Sequence, residues 1–169
     1  PHPLSMAHHR ATFAEINLKA FKHNLQNLKK IIESDTGIMA VIKADAYGHG
    51  SLPCAKAAVD SRVDYIGVGI IEEGIELREN GITEPILILG SIFPDEAADL
   101  IRHDLATILC TTHLAEALAK EAEKQKKTVI VHIKVDTGMN RLGVLPENLL
   151  SLIQTINKLP ILKLEALST

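Results

Sequence analysis

The sequence predicts an α/β fold built on a parallel sheet. Short apolar runs of Ile, Val and Leu recur along the chain, stretches of helical periodicity separate them, and glycines and prolines bound them. Near-continuous aliphatic runs suit strands covered on both faces. Crossovers of this length build either an open doubly wound sheet or a closed (β/α)8 barrel, and the rhythm alone fits both.

The first element is a helix, because Leu18, Phe21, Leu25, Leu28 and Ile32 recur at steps of three and four with lysines and Asn24 between them. Asn17 is placed to cap it, and Gly37 falls in the turn that follows. Strands are expected at residues 38–43, 65–69, 86–89, 106–110, 129–135 and 161–167. Helices are expected between them at 52–59, 72–80, 95–102, 113–126 and 147–158, with Ser51 and Thr112 as caps. At this pace eight strands need more than 169 residues, in keeping with the ~250 typical of such a barrel. On the barrel reading the chain is therefore expected to be a truncated piece of about six β/α units. Residues 1–10 are expected to be a loose terminus or a tag remnant.

Composition narrows the function classes. With 18 basic against 21 acidic residues, all scattered, the charge of −3 offers no footprint for nucleic acid or anionic lipid. Aromatics at 3%, with no Trp, leave no stacking platform for bases. Cys54 and Cys110 sit in apolar stretches and read as core thiols rather than a metal site or disulfide. No run reaches the ~18 apolar residues of a membrane span, and no signal peptide is recognisable, so a soluble cytoplasmic protein is expected.

Two constellations carry chemistry. The first strand runs into Lys43-Ala44-Asp45-Ala46-Tyr47-Gly48-His49-Gly50, a lysine at the carboxyl end of a buried run, where active sites of parallel α/β folds sit. A partly desolvated amine loses some preference for its charged form and becomes a nucleophile for an aldehyde; in an arbitrary strand the same lysine would simply snorkel into solvent. Tyr47 could turn its phenol back over the strand end, and Gly48 and Gly50 permit close approach of a planar ligand. The second constellation is Lys134-Val135-Asp136-Thr137-Gly138-Met139-Asn140-Arg141-Leu142-Gly143. A period of two puts Ile130, His132 and Lys134 on one face, expected to point into the barrel, so that Lys134 reaches the same mouth as Lys43. Arg141 in the next loop offers a planar fork of donors to a carboxylate or phenolate. Read blandly, Asp136-Thr137-Gly138 is a strand-ending turn. The rival reading, an aspartic protease triplet, needs a second copy and an all-β fold, and the sequence has neither.

Both stretches resemble the motifs of alanine racemases, and less specific likeness extends from 11 to 169: the segment around Ala11 to Leu18 with His23-Asn24-Leu25 looks like that family's opening strand and first helix, and Leu164 to Thr169 like its sixth barrel strand. The resemblance implies the N-terminal part of a (β/α)8 barrel, without strands 7 and 8 or the carboxyl-terminal β-domain. It implies pyridoxal 5'-phosphate as cofactor, condensed with Lys43, with Tyr47 on its phosphate. Arg141 would bond the cofactor's phenolic oxygen and help place the substrate carboxylate, supported by a carbamylated Lys134. The activity implied is interconversion of L- and D-alanine by a cytoplasmic homodimer that supplies D-alanine for peptidoglycan, with no metal. A tyrosine from the partner subunit would serve the second face of the substrate, so this chain alone is expected to be nearly inactive. The alternatives are another barrel-type enzyme with the same cofactor, a broad-specificity racemase or a decarboxylase, or a non-catalytic binding protein with an exposed sheet edge.

Overall fold

The computed structural model describes residues 12–169, so the expectation for residues 1–10 lies outside the described residues. Helix α1 (Leu18–Ile31) forms on the three-four spacing, and the Asn17 side-chain oxygen accepts from the Ala20 amide at 3.0 Å as its cap. Residues 12–17, expected to include an opening strand, form none. Phe13 is 66% exposed there.

The chain then alternates through β1 (Met39–Val41), a short turn α2 (Lys43–Gly48), α3 (Ser51–Asp60), β2 (Tyr65–Val68) and α4 (Ile71–Glu79). It continues through β3 (Ile86–Ile88), α5 (Ala97–Arg102), β4 (Ala106–Leu109), α6 (Thr112–Gln125), β5 (Val129–Lys134), α7 (Pro146–Asn157) and β6 (Leu162–Ser168). A 3-10 turn, Pro94–Glu96, leads into α5. Two caps differ from expectation by one position. Thr111, not Thr112, accepts from the Leu114 amide, and Ser51 opens α3 as a helical residue whose own amide is held by the Asp45 carboxylate.

Among the described residues the six strands are all parallel and lie side by side in chain order. That order decides between the two architectures, because a doubly wound sheet reverses direction at a switch point and carries helices on both faces. Here the helix residues Ala55, Leu77, Leu100, Leu118 and Leu152 share one core cluster with Ile66, Ile88 and Ile133 of the strands. A second, smaller cluster around Leu87, Ala106 and Ile108 contains strand and loop residues only. The sheet therefore has one helix-covered outer face and one inner face, the arrangement of a (β/α) barrel in its first six units. Burying Leu77, Leu100 and Leu118 contributes about 1.5–3 kcal/mol each relative to exposure.

Arg78 knits the amino-terminal end of the sheet. Its guanidinium donates to the carbonyls of Ile82 at 2.6 Å, Glu84 at 2.8 Å, Asp104 at 2.9 Å and His103 at 3.0 Å. One planar fork thus ties α4 to the segments that enter β3 and follow α5. Among the described residues no helix is long and apolar enough to cross a membrane.

Candidate active site

The strand alternation that buries Ala40 and Ile42 outward turns Met39, Val41 and Lys43 toward the inner face. The ladder continues just past β1, where the Ile42 amide donates to Gly67 O at 2.8 Å, so Lys43 lies two residues beyond the strand rather than within it. The chain then does something its residue types do not announce. Ala44, Asp45, Ala46 and Tyr47 adopt φ of 51, 54, 51 and 56°, a left-handed turn. Each L-residue in that conformation costs roughly 1–2 kcal/mol, about 4–8 kcal/mol for the run, unless the surroundings over-determine it. They do so with polar contacts: the Ala46 amide donates to Ile42 O at 2.8 Å, Gly50 to Asp45 O at 2.9 Å, Ser51 to Asp45 Oδ1 at 2.6 Å and Ala44 to Glu73 Oε1 at 2.6 Å. Gly48 and Gly50 finish the turn at φ of 85 and 92°, open to glycine without strain.

On β5, Lys134 ends the inward row that His132 shares. The loop after it is folded by Asp136, whose Oδ1 accepts from the Gly138 and Asn140 amides at 3.0 Å each. The Asn140 bond, then the Gly138 bond, holds the Asp136 carboxyl below the usual carboxylate range. The loop closes because the Val144 amide donates to Lys134 O at 2.8 Å and the Asp136 amide to Val144 O at 2.9 Å. Gly143 makes that approach feasible, since a Cβ there would lie 2.4 Å from the Asp136 nitrogen. Asp136-Thr137-Gly138 is thus a turn that presents Arg141, and the protease reading fails on both the fold and the carboxylate's partners.

Lys43, Lys134 and Arg141 line one cleft of about 360 Å³ at the carboxyl ends of the strands, with Gly69, Gly90 and Ser168 among its walls. Among the described residues, three cations and no Asp or Glu side chain line it, so the site favours an anion. A Cβ on Gly90 would sit 2.2 Å from Gly69 O, so two strand ends meet there with backbone as the wall. Tyr47 stands apart. Its ring centroid is 6.0 Å from the Lys43 amine, but the side chain is 61% exposed and lines a neighbouring groove with Val41, Ile42 and Cys54 instead of covering the strand end.

Below the cleft lies a polar group that sequence reading passed over. The Tyr65 hydroxyl donates to the Glu165 carboxylate, which also meets His132 Nε2 at 3.1 Å, and the Tyr65 and His132 rings pack edge to face at 5.5 Å. Burial first, then the Glu165 bond, pushes the Tyr65 hydroxyl up, while the Tyr65 bond leads in holding the Glu165 carboxyl down. Tyr65 and Glu165 are 100 positions apart, so only inward parity on β2 and β6 could have paired them. Cys54 is a core thiol as expected; Cys110 is only partly buried and packs at the inner cluster near Lys134.

Sequential parallel strands and a helix-clad outside define a (β/α)-barrel domain, with a cleft lined by three basic side chains at its strand ends. The chain belongs to the alanine racemase N-terminal domain family, whose model matches residues 16–169. An alanine racemase of Halothermothrix orenii is 41% identical over 160 residues, covering 95% of this chain and 42% of that protein. The alanine racemase of Clostridium difficile 630 superposes with a TM-score of 0.87 at 40% identity, covering 90% of this chain and 40% of that one. A histidine racemase of Leuconostoc mesenteroides superposes with a TM-score of 0.81 at 28% identity, covering 89% of this chain and 40% of that one. The chain thus spans about two-fifths of the length of the relatives it matches.

Proposed function

We propose that this chain supplies the lysine-bearing part of the cofactor site of a pyridoxal 5'-phosphate-dependent alanine racemase, with Lys43 as the amine that holds the cofactor. The observation that carries the reading is the convergence of Lys43, Lys134 and Arg141 on one cleft in a member of this family. The donor set suits the group: an amine for its aldehyde, a guanidinium for its phenolate or a substrate carboxylate, and a backbone wall at Gly69 and Gly90 beside a flat ring. When bound, the cofactor supplies an electron sink for the charge left at the substrate Cα.

The remaining work falls to the protein. Lys43 Nζ serves one face of the substrate, taking the proton from Cα in one direction of the reaction and delivering one there in the reverse direction, while the opposite face exchanges its proton with another group. Arg141 orients the substrate carboxylate, and the Asp136 turn keeps its loop in place. Lys134 as a free ammonium would repel Arg141, whereas a carbamate on its amine would make it an anionic support. Tyr47 serves the cofactor phosphate after turning from its exposed position. A tyrosine from the partner subunit's carboxyl-terminal β-domain serves the other face, in a homodimer whose barrels are completed by strands 7 and 8. The whole protein is proposed to act in the cytoplasm and supply D-alanine for peptidoglycan.

The test uses the longer protein that carries this chain, given L-alanine in deuterated water. Loss of optical rotation with deuterium at Cα, abolished by Lys43→Ala, is the expected result; retention of rotation with the cofactor loaded contradicts it. The likeness to a histidine racemase favours one second reading, a racemase of another amino acid. A panel of amino acids separates the two by which substrate exchanges fastest.

A further inference from the structure

Glu73 is the third residue of α4, a position from which a carboxylate ordinarily reaches back to the residues preceding its own helix. One oxygen does this, accepting from the Gly69 amide at 2.6 Å. The other does not stay with the helix. It crosses to the Ala44 amide, also at 2.6 Å, the first peptide N–H after Lys43. A single carboxylate therefore joins the end of β2 to the start of the left-handed turn, through two charge-assisted bonds of the strong class. The neighbouring donors have their own acceptors, Ile42 on Gly67 O and Ala46 on Ile42 O, whereas the Ala44 amide has Glu73. Lys43 and Glu73 also pack on the same spot: a Cβ on Gly69 would meet Glu73 Oε2 at 3.3 Å and Lys43 Cβ at 3.4 Å.

We propose that Glu73 is a positioning residue for Lys43: its carboxylate holds the turn left-handed and so fixes where the amine leaves the sheet. A helix cap alone would need only the Gly69 bond. The proposal rests on the reading of Lys43 as the cofactor amine, and its test separates the two. Glu73→Gln keeps the size but turns one acceptor into a donor, facing an N–H. Glu72→Gln, on the exposed side of the same helical turn, is the control.

Two readouts are compared: hydrogen exchange of the Ala44 amide in the chain without cofactor, and the share of pyridoxyl label fixed on Lys43 by borohydride after exposure to pyridoxal 5'-phosphate. Glu73→Gln is expected to speed Ala44 exchange and to weaken Lys43 labelling by about tenfold or more each, as loss of a bond to a charged acceptor implies, while Glu72→Gln changes neither. Faster exchange with undiminished Lys43 labelling reduces Glu73 to a helix cap and overturns the proposal, as does unchanged exchange. If Glu73→Gln does not fold, the unaltered chain decides: its Ala44 amide must exchange as slowly as those of β1, and a free-loop rate overturns the clamp. Absence of Lys43 labelling in the unaltered chain overturns the lysine reading and with it the positioning role of Glu73, while the exchange rates still judge the clamp by itself.

Discussion

Replacing Ala44 by glycine is expected to stabilise the fold, although it removes a methyl group beside Lys43. Ala44 holds φ 51° and ψ 54° and is exposed, so removing its methyl group forfeits little burial. The left-handed conformation costs an L-residue roughly 1–2 kcal/mol that glycine escapes. Glycine gives back about 0.5–1 kcal/mol through the greater freedom of the unfolded chain. The balance is a gain of about 0.5–1 kcal/mol, or about 1–4 °C in Tm for a chain of this size. Ala46→Gly serves as a paired control, because Ala46 has the same backbone conformation but is buried, and losing about 0.8 kcal/mol of methyl burial brings it close to neutral. Thermal melts by circular dichroism read both. A fall of a degree or more for Ala44→Gly, together with a rise for Lys126→Gly at the exposed left-handed end of α6, would refute the assignment of strain to this turn.

Three further outcomes are expected. Arg78→Ala should lose about 2–4 kcal/mol in denaturant unfolding, because four carbonyls lose a charged donor at once, and Arg78→Lys should recover only part of it. Gly90→Ala should cost about 1–3 kcal/mol, because its Cβ would lie 2.2 Å from Gly69 O; an unchanged stability would argue against the close strand contact. Stability should also depend on pH at both ends. The Asp136 and Glu165 carboxyls are held below their usual values, so their contribution is whole above about pH 5 and is lost as pH falls through the folded values. Tyr65 is raised, so its contribution is whole below about pH 10 and fades above it. Melts across pH should steepen at acid pH, and Asp136→Asn should flatten that limb.

Much of the architecture was legible because buried parallel strands declare themselves as aliphatic runs, and β2 to β6 fall within a residue or two of their expected places. Strand order was not, since the same rhythm serves a wound sheet and a barrel until the pairing is seen. The left-handed turn was illegible for a different reason: Ala, Ala and Tyr have no preference for it, and the contacts that accompany it, to Ile42 O, to the Glu73 carboxylate and from Ser51 to Asp45, are visible only in the folded chain. Adjacent threonines at 111 and 112 left the α6 cap ambiguous by one residue. Of the candidate residues, Lys43, Lys134 and Arg141 meet in one cleft as the strand-end argument required. Tyr47 does not, because the reversed hand of the turn carries its ring to the neighbouring groove.

The most direct measurement is chemical. The chain is exposed to pyridoxal 5'-phosphate, reduced with borohydride and mapped by peptide mass spectrometry. A pyridoxyl group concentrated on Lys43 is the expected result. Label spread evenly over the exposed lysines, with Lys43 no more reactive than Lys19 or Lys56, would contradict the assignment.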